Sequence, residues 1–216
     1  MSQKTHNYLS LALDDYRAAR FLLREGLLSQ GLSLASTAIE KQFKAILALK
    51  DIYSKKHLSG SLAAIVTRQY PFLKEHLEKD FIRYLEKGFD LRYASVDGRG
   101  YSIVINQNRT LIALDQLMLT IDSGLSLKAN GLPHKTPLEK AIAERDPLIC
   151  DDNVAIHRSC LSDLSSRPNK MFELRVGENL NTLMAVYETE GLNVVGNFCK
   201  ATDMDFGKTS FTLARG

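Results

Sequence analysis

Two groups of residues in this chain have side chains suited to binding an anion. Arg92 and Tyr93 are adjacent, and they offer a planar guanidinium for a phosphate and an aromatic ring for a stacked base. Lys55, Lys56 and His57 form the densest basic cluster. We predict that these five residues contact an anionic ligand. Two structural alternatives stay open: an arginine bonded to helix-terminal carbonyls beside a core tyrosine, and a basic cluster that compensates the negative pole of a helix.

Further charged residues lie inside helical patterns and have a ligand-binding and a structural interpretation. Asp15 falls on the apolar stripe of the first predicted helix, where it either faces a ligand groove or pairs with a cation such as Lys44 or Arg92. The structural interpretation is favoured, and Asp15 and Lys44 are both kept as candidate ligand contacts. Glu40 and Lys44 are four residues apart, which predicts an exposed helical ion pair. Lys41 is expected on a different face, towards solvent or phosphate.

Common catalytic and metal-binding patterns are not met. The stretch 98–100 (Gly-Arg-Gly) is too short for a phosphate-binding loop and lacks the strand and helix that flank one. One set of potential zinc ligands is Cys150, His157, Cys160 and Cys199. Their separations match no standard zinc knuckle, so free thiols are favoured. We therefore predict no metal and no cofactor.

Length and composition narrow the class of protein. A chain of 216 residues suits one large domain, or a main domain with a smaller appendage. Three cysteines without C-x-x-C spacing argue against a disulfide framework, and no apolar run or signal peptide points to a membrane, so we predict a cytoplasmic protein. Residues 1–130 carry 18 Lys and Arg against 13 Asp and Glu, whereas residues 131–216 carry 10 against 12. The positive first segment suits an anionic partner but falls short of a dedicated DNA binder.

Helices are predicted to position the candidate residues. Apolar residues recur at three-four spacing, which is typical of amphipathic helices with one buried face. The predicted helices span residues 4–25, 30–53, a shorter segment from 59–61 to Tyr70-Pro71, 72–89 and 108–127. Ser29 and Asn108 are predicted N-caps, and residues 101–105 are a candidate short strand.

The pattern changes after Asn130. A short helix is predicted over 137–145, and alternating residues predict strands over 170–176 and 182–189, with further candidates at 192–198 and 211–213. The fold class is therefore mainly α. We predict a four- or five-helix bundle over residues 1–130 and a smaller C-terminal α+β extension over 131–216, built as an antiparallel β-meander.

The helical part resembles the HEPN domain family (higher eukaryotes and prokaryotes nucleotide-binding). The resemblance covers residues 5 to about 128 and rests on Tyr8, Ala12, Asp15, Ala19, Leu22, Leu23, Ala35, Ala38, Glu40, Lys41, Phe43, Lys44, Ala45, His57-Leu58 with Leu62, and Arg92-Tyr93. It implies a helical bundle that often forms homodimers. The family includes RNA-cleaving toxins and defence effectors, partners of nucleotidyltransferases, and non-catalytic binding modules.

The RNA-cleaving branch of that family has an Arg and a His on one helical segment with four to six residues between them. No histidine here meets that spacing. The nearest case is Arg68 and His76, with seven residues between them and the helix-breaking Pro71 inside the interval. This departure favours a non-catalytic module.

Three functions follow as expectations from the resemblance and the residues. The first is a non-catalytic nucleotide- or RNA-binding or assembly module, in a bacterial toxin–antitoxin or defence-like system, dimeric through its helices. The second is a divergent ribonuclease with a rearranged site, in which His57 or His76 is the base and the arginine comes from another helix or subunit. The third is a protein-interaction scaffold whose strand-rich C-terminal extension binds a protein partner.

Overall fold

The computed structural model describes residues 2–92, 101–125, 127–129, 132–157, 168–176 and 182–189, and the statements below concern these residues. The helices are α1 Gln3–Arg24, α2 Leu28–Ala48, α3 Gly60–Gln69, a 3-10 helix Pro71–Glu75, α4 Lys79–Asp90, α5 Gln107–Ser123, α6 Pro137–Ala143 and α7 Pro147–Cys150. The strands are β1 Tyr101–Asn106, β2 Lys128–Ala129, β3 Leu132–Pro133, β4 Asn169–Val176 and β5 Thr182–Thr189. The predicted mainly helical fold with a small antiparallel sheet is confirmed at this level.

The α1–α2 hairpin forms the centre of the molecule. Gly26 makes the turn with a φ of 79°, which a side chain would strain. The helices then approach closely at Gly31, where a Cβ atom would lie 2.7 Å from Cγ of Leu23. Fifteen residues of α2 are buried, including nearly all of its second half, which is typical of a helix enclosed on most sides. Residues on α2 are therefore held firmly by the core.

Several predicted helix boundaries are wrong. The second helix begins at Leu28 without Ser29 as its cap, and it ends at Ala48 instead of residue 53 because Asp51 takes a left-handed φ of 56°. The segment predicted as one helix over 72–89 is divided into the 3-10 helix Pro71–Glu75 and α4. Asn106, not Asn108, caps α5 by accepting a 3.0 Å hydrogen bond from the backbone of Arg109. The predicted start of α3 near residues 59–61 is confirmed, and Ser59 caps it by accepting a 3.3 Å hydrogen bond from the backbone of Leu62.

The three-stranded sheet has the order β1-β4-β5 and is antiparallel throughout. The predicted hairpin of β4 and β5 and the short strand β1 are confirmed. The third strand of the sheet comes from before residue 130, which the pattern of the tail did not indicate. Pairing aligns Ile103 with Leu174 and Ile105 with Phe172, and all four side chains are buried. The strand candidates 192–198 and 211–213 lie outside the described residues.

Residues on both sides of position 130 contact each other. Helices α6 and α7 lie against α1, and β4 lies against α5. The division of the chain at residue 130 stays a prediction. Within the described ranges, none of the helices has the length and apolar character needed to cross a bilayer.

Candidate functional site

The loop that carries His57 and the end of α4 bring several of the predicted ligand-binding residues to one corner of the molecule. The half-buried ring of Phe89, on the last turn of α4, lies at its centre. The His57 ring stacks on it with ring centroids 5.2 Å apart and an interplanar angle of 29°. The guanidinium carbon of Arg92 lies 3.8 Å from the Phe89 centroid. We call His57, Phe89 and Arg92 the Phe89 cluster.

The position of Arg92 follows from the end of α4. Because Arg92 is three residues beyond Phe89, its side chain can fold back over the ring, and Nε donates a 3.3 Å hydrogen bond to the Phe89 carbonyl. A cation near helix-terminal carbonyls is also favoured electrostatically. This contact is the one expected of the structural alternative for Arg92, yet the residue stays exposed at the surface. Tyr93, the other half of the predicted pair, lies outside the described residues.

Glu40 connects the core of α2 to the loop that carries His57. Its Oε1 accepts a 2.6 Å hydrogen bond from Nζ of Lys44, and its Oε2 accepts a 2.9 Å bond from the backbone of Leu58. The same Oε2 lies 3.4 Å from Nδ1 of His57. The predicted Glu40–Lys44 pair is confirmed, but it is not exposed, because Glu40 is buried and Lys44 is half-buried. The carboxylate thus lies beside the His57 ring, whose side chain remains 72% exposed.

Lys55 and Lys56 lie on the same loop and are exposed. Nζ of Lys56 donates a 3.3 Å hydrogen bond to Ser61 at the start of α3. Since α2 ends at Ala48, both lysines follow its last turn by several residues, and a helix dipole acts mainly within that turn. Compensation of the negative pole at the end of α2 is therefore a weak explanation for the basic cluster of Lys55, Lys56 and His57.

Asp15 is held in an ion pair between α1 and α2. Its Oδ2 lies 2.6 Å from Nζ of Lys41. Asp15 was expected to pair with a cation such as Lys44 or Arg92, but its partner is Lys41, and Lys44 pairs with Glu40 instead. Lys41, which was expected to face solvent or phosphate, pairs with Asp15 while its side chain stays 28% exposed. The pair favours a structural role for Asp15.

His76, the alternative catalytic histidine, lies elsewhere. It lines a cavity of about 290 Å³ between the 3-10 helix and α5, together with Glu75, Glu78 and Gln116. Two neighbouring carboxylates disfavour a phosphate at this position. The structure therefore separates His76 from the Phe89 cluster.

A buried polar network was missed by sequence reasoning. Arg20 and Asp115 are each 1% exposed, and Nη1 of Arg20 donates a 2.6 Å hydrogen bond to Oδ2 of Asp115. Tyr16 donates a 2.7 Å bond to the other carboxylate oxygen and accepts one of 3.1 Å from Asn153. Arg20 also donates to the carbonyls of Leu148 and Asp151. The network thus joins residues 148–153 to α1 and α5.

Burial shifts the titration of this network. It raises the pKa of Asp115 from 3.8 to about 6, against the opposing effect of the Arg20 charge and the hydrogen bonds from Tyr16 and Arg20. Burial also raises the pKa of the Tyr16 hydroxyl. The only sequence signal was the position of Arg20, four residues after Tyr16 on the apolar stripe of α1. The donors and acceptors satisfy one another away from solvent, so this network supports the fold rather than a ligand.

The structure describes only part of the predicted thiol set. Cys150 is half-buried and not in a disulfide, while Cys160 and Cys199 lie outside the described residues. Within the described part of the chain, no three His, Cys, Asp or Glu side chains are grouped as ligands for a metal ion.

The HEPN resemblance has no support from outside the sequence itself. Comparison with protein-family models, with curated proteins and with solved structures finds no match for this chain.

Proposed function

We propose that this protein is a non-catalytic HEPN-type module that binds a nucleotide or RNA at the Phe89 cluster and its adjoining basic loop. One observation carries the proposal: His57 and Arg92, which are far apart in sequence, both lie on the Phe89 ring. Lys55 and Lys56 are exposed on the loop that holds His57. Planar groups for stacking and cations for phosphate are thus within one corner.

Contacts within the corner already restrict the side chains that would bind the ligand, so these side chains lose less conformational freedom on binding. Stacking on Phe89 restricts both the guanidinium plane of Arg92 and the ring of His57. A base stacks favourably on either planar group, and the arginine fork can bond a phosphate in two places. Binding through Arg92, Lys55 and Lys56 would weaken as salt rises, since bound counterions are released.

The biological setting rests on the resemblance alone. A bacterial toxin–antitoxin or defence-like system and a homodimer formed through the helical bundle are properties that the family would confer. They stay proposals of this article.

Fluorescence anisotropy with a labelled single-stranded RNA and a labelled nucleotide tests the binding site. The double variant Arg92→Ala with Lys56→Ala should weaken binding and lower the slope of log affinity against log salt by about 1.4, from about 0.7 per lost contact. Lys135→Ala with Lys140→Ala removes the same charge from exposed positions near and on α6, and it should leave the slope nearly unchanged. Equal affinities for both double variants would reject this site.

A divergent ribonuclease is the second candidate, and a specific arrangement favours it. A histidine beside a carboxylate on one loop and an arginine just beyond the end of α4 contact the same ring, as a rearranged site requires. In such a reaction Nε2 of His57 takes the proton of a ribose 2′-hydroxyl. That oxygen attacks the adjacent phosphorus and the bond to the 5′-oxygen of the next nucleotide breaks, which gives a 2′,3′-cyclic phosphate and a 5′-hydroxyl that takes its proton from water. Arg92 stabilises the negative charge on the phosphate.

Incubating the protein with labelled RNA in EDTA separates the two candidates. A mobility shift without cleavage supports the binding module. Cleavage that is lost in His57→Ala but retained in His76→Ala would establish the ribonuclease instead. Cleavage that survives both substitutions would reject the proposed catalytic role of either histidine.

A further inference from the structure

A second surface combines lysines with exposed aromatic rings at the other end of the 49–59 loop. Tyr53 is 54% exposed, and Nζ of Lys4 lies 3.7 Å from its ring centroid. Phe72 is 44% exposed and meets Tyr70 edge to face, with centroids 6.3 Å apart. Nζ of Lys50 lies 4.6 Å from the Tyr70 centroid. We call Lys4, Lys50, Tyr53, Tyr70 and Phe72 the Tyr53 surface.

Local structure fixes two of the rings of this surface, Tyr70 and Phe72. The hydroxyl of Tyr70 donates a 2.7 Å hydrogen bond to the carbonyl of Ile46, in the last turn of α2. The Phe72 ring lies against Gly124, where a Cβ atom would come within 2.1 Å of Cζ. Lys50 donates a 2.6 Å bond to the carbonyl of Gln69. Contacts within the protein therefore position Tyr70, Phe72 and Lys50 before any ligand binds.

We propose that the Tyr53 surface receives the continuation of a single-stranded polynucleotide whose neighbouring nucleotide occupies the Phe89 cluster. The inference rests on the proposed function and specifies its ligand as a strand of several nucleotides. Tyr53 and His57 are four residues apart on one loop, so their Cα atoms are at most about 14 Å apart. Lys55 and Lys56 lie between them in sequence and are exposed. They would meet the phosphates of the strand.

The chemistry of the surface favours nucleic acid over a protein partner. Two of its aromatic rings, Tyr53 and Tyr70, each contact a lysine ammonium, whereas protein interfaces are depleted in lysine. Grooves for single strands combine aromatic rings for the bases with cations for the backbone. The neighbouring acid, Asp51, has Oδ1 3.5 Å from the Tyr53 hydroxyl and offsets one of these charges. By contrast, the exposed side chains of Met184 and Val186 on β5 have the apolar character of a protein contact.

The experiment compares a fluorescein-labelled decauridylate with a fluorescently labelled ADP by anisotropy. Tyr53→Ala should weaken decauridylate binding at least about fivefold and leave ADP binding unchanged, because only the longer ligand reaches the ring. Tyr53→Phe keeps the ring and should bind both ligands like the parent protein. Phe21→Ala is the matched control, since Phe21 is 49% exposed and lies about 26 Å along α1 from Lys4.

The results distinguish a failure of this inference from a failure of the proposed function. The inference holds if Tyr53→Ala lowers only decauridylate affinity while Arg92→Ala lowers the affinity of both ligands. It is overturned if Arg92→Ala weakens binding but Tyr53→Ala behaves like Phe21→Ala, and the proposed function then stands alone. If neither ligand binds, or Arg92→Ala changes nothing, the proposed function fails and this inference with it. Circular dichroism of each variant verifies that the fold is retained.

Discussion

Substituting Arg20 tests how much the buried network contributes to stability. Arg20→Met removes the charge that faces Asp115 and the donors to the carbonyls of Leu148 and Asp151. Removing one partner of a buried ion pair destabilises a protein by about 3–5 kcal/mol. A domain typically has only about 5–15 kcal/mol in total, so Arg20→Met should lose a large fraction of its stability.

Arg17 provides an internal control on the same helix. Its side chain is half-buried, and its Nε lies 2.6 Å from Oδ2 of Asp146. Because this pair is partly screened by solvent, Arg17→Met should cost about 1 kcal/mol or less. The chain has no tryptophan, so urea unfolding should be followed by far-UV circular dichroism. Similar losses for the two variants would refute the reasoning.

The pH dependence of Arg20→Met provides an independent check. The Arg20 charge lowers the pKa of Asp115, while burial raises it, so removing the arginine raises the folded-state pKa further. A folded state that holds a proton more tightly than the unfolded state gains stability as pH falls through the folded pKa. The deficit of Arg20→Met should therefore shrink between pH 7 and pH 5. A deficit that is constant over this range would show that the unpaired carboxylate is not its cause.

Three further predictions concern other parts of the fold. Burial raises the pKa of Asp122 from 3.8 to about 6, so ionisation of this carboxyl lowers the free energy of unfolding as pH rises from 4 to 6. Asp122→Asn should therefore make the free energy of unfolding, measured in urea, less dependent on pH over this range. Its gain in stability at pH 7 should be at most about 3 kcal/mol. Glu40→Ala leaves the buried amide of Leu58 without its acceptor, so we expect a loss of about 1–3 kcal/mol and faster hydrogen exchange at that amide by NMR. Gly88→Ala would place a Cβ atom 2.4 Å from Cγ of the buried Leu32, so the melting temperature should fall despite the higher helix propensity of alanine.

The sequence predicted the helices but not where all of them end. Three-four spacing of apolar residues reports a buried face, and α1, α2 and α3 have the expected stripes. Helix ends depend on single residues, such as the left-handed Asp51. The pairing of β1 with β4 links distant segments, and an alternating pattern does not identify the partner of a strand.

The candidate site was predictable as a set of residues but not as an arrangement. Arg92 and His57 have the chemistry to be noticed individually. Phe89 went unnoticed because an apolar residue on a helix is normally assigned to the core, and its role depends on the His57 loop lying against α4. Asp15 was expected to pair with a cation. Which cation lies beside it depends on how α1 packs against α2, and in the structure it is Lys41. Arg20 escaped notice because arginine is usually exposed, and residues 148–151 are what cover it.

Glu40 links the rigidity of the core to the chemistry of the surface. It is buried on α2, the central helix, and it bonds the backbone of Leu58 next to His57. The 49–59 loop therefore takes its position from the core rather than from a ligand, and binding requires little reordering of the Phe89 cluster. Both proposed surfaces include residues of this loop, so loosening it at Leu58 should lower affinity for a single strand even though every contacting side chain is kept. Glu40→Gln preserves an acceptor for that amide and should lose less affinity than Glu40→Ala, a difference that a purely electrostatic role for Glu40 would not produce.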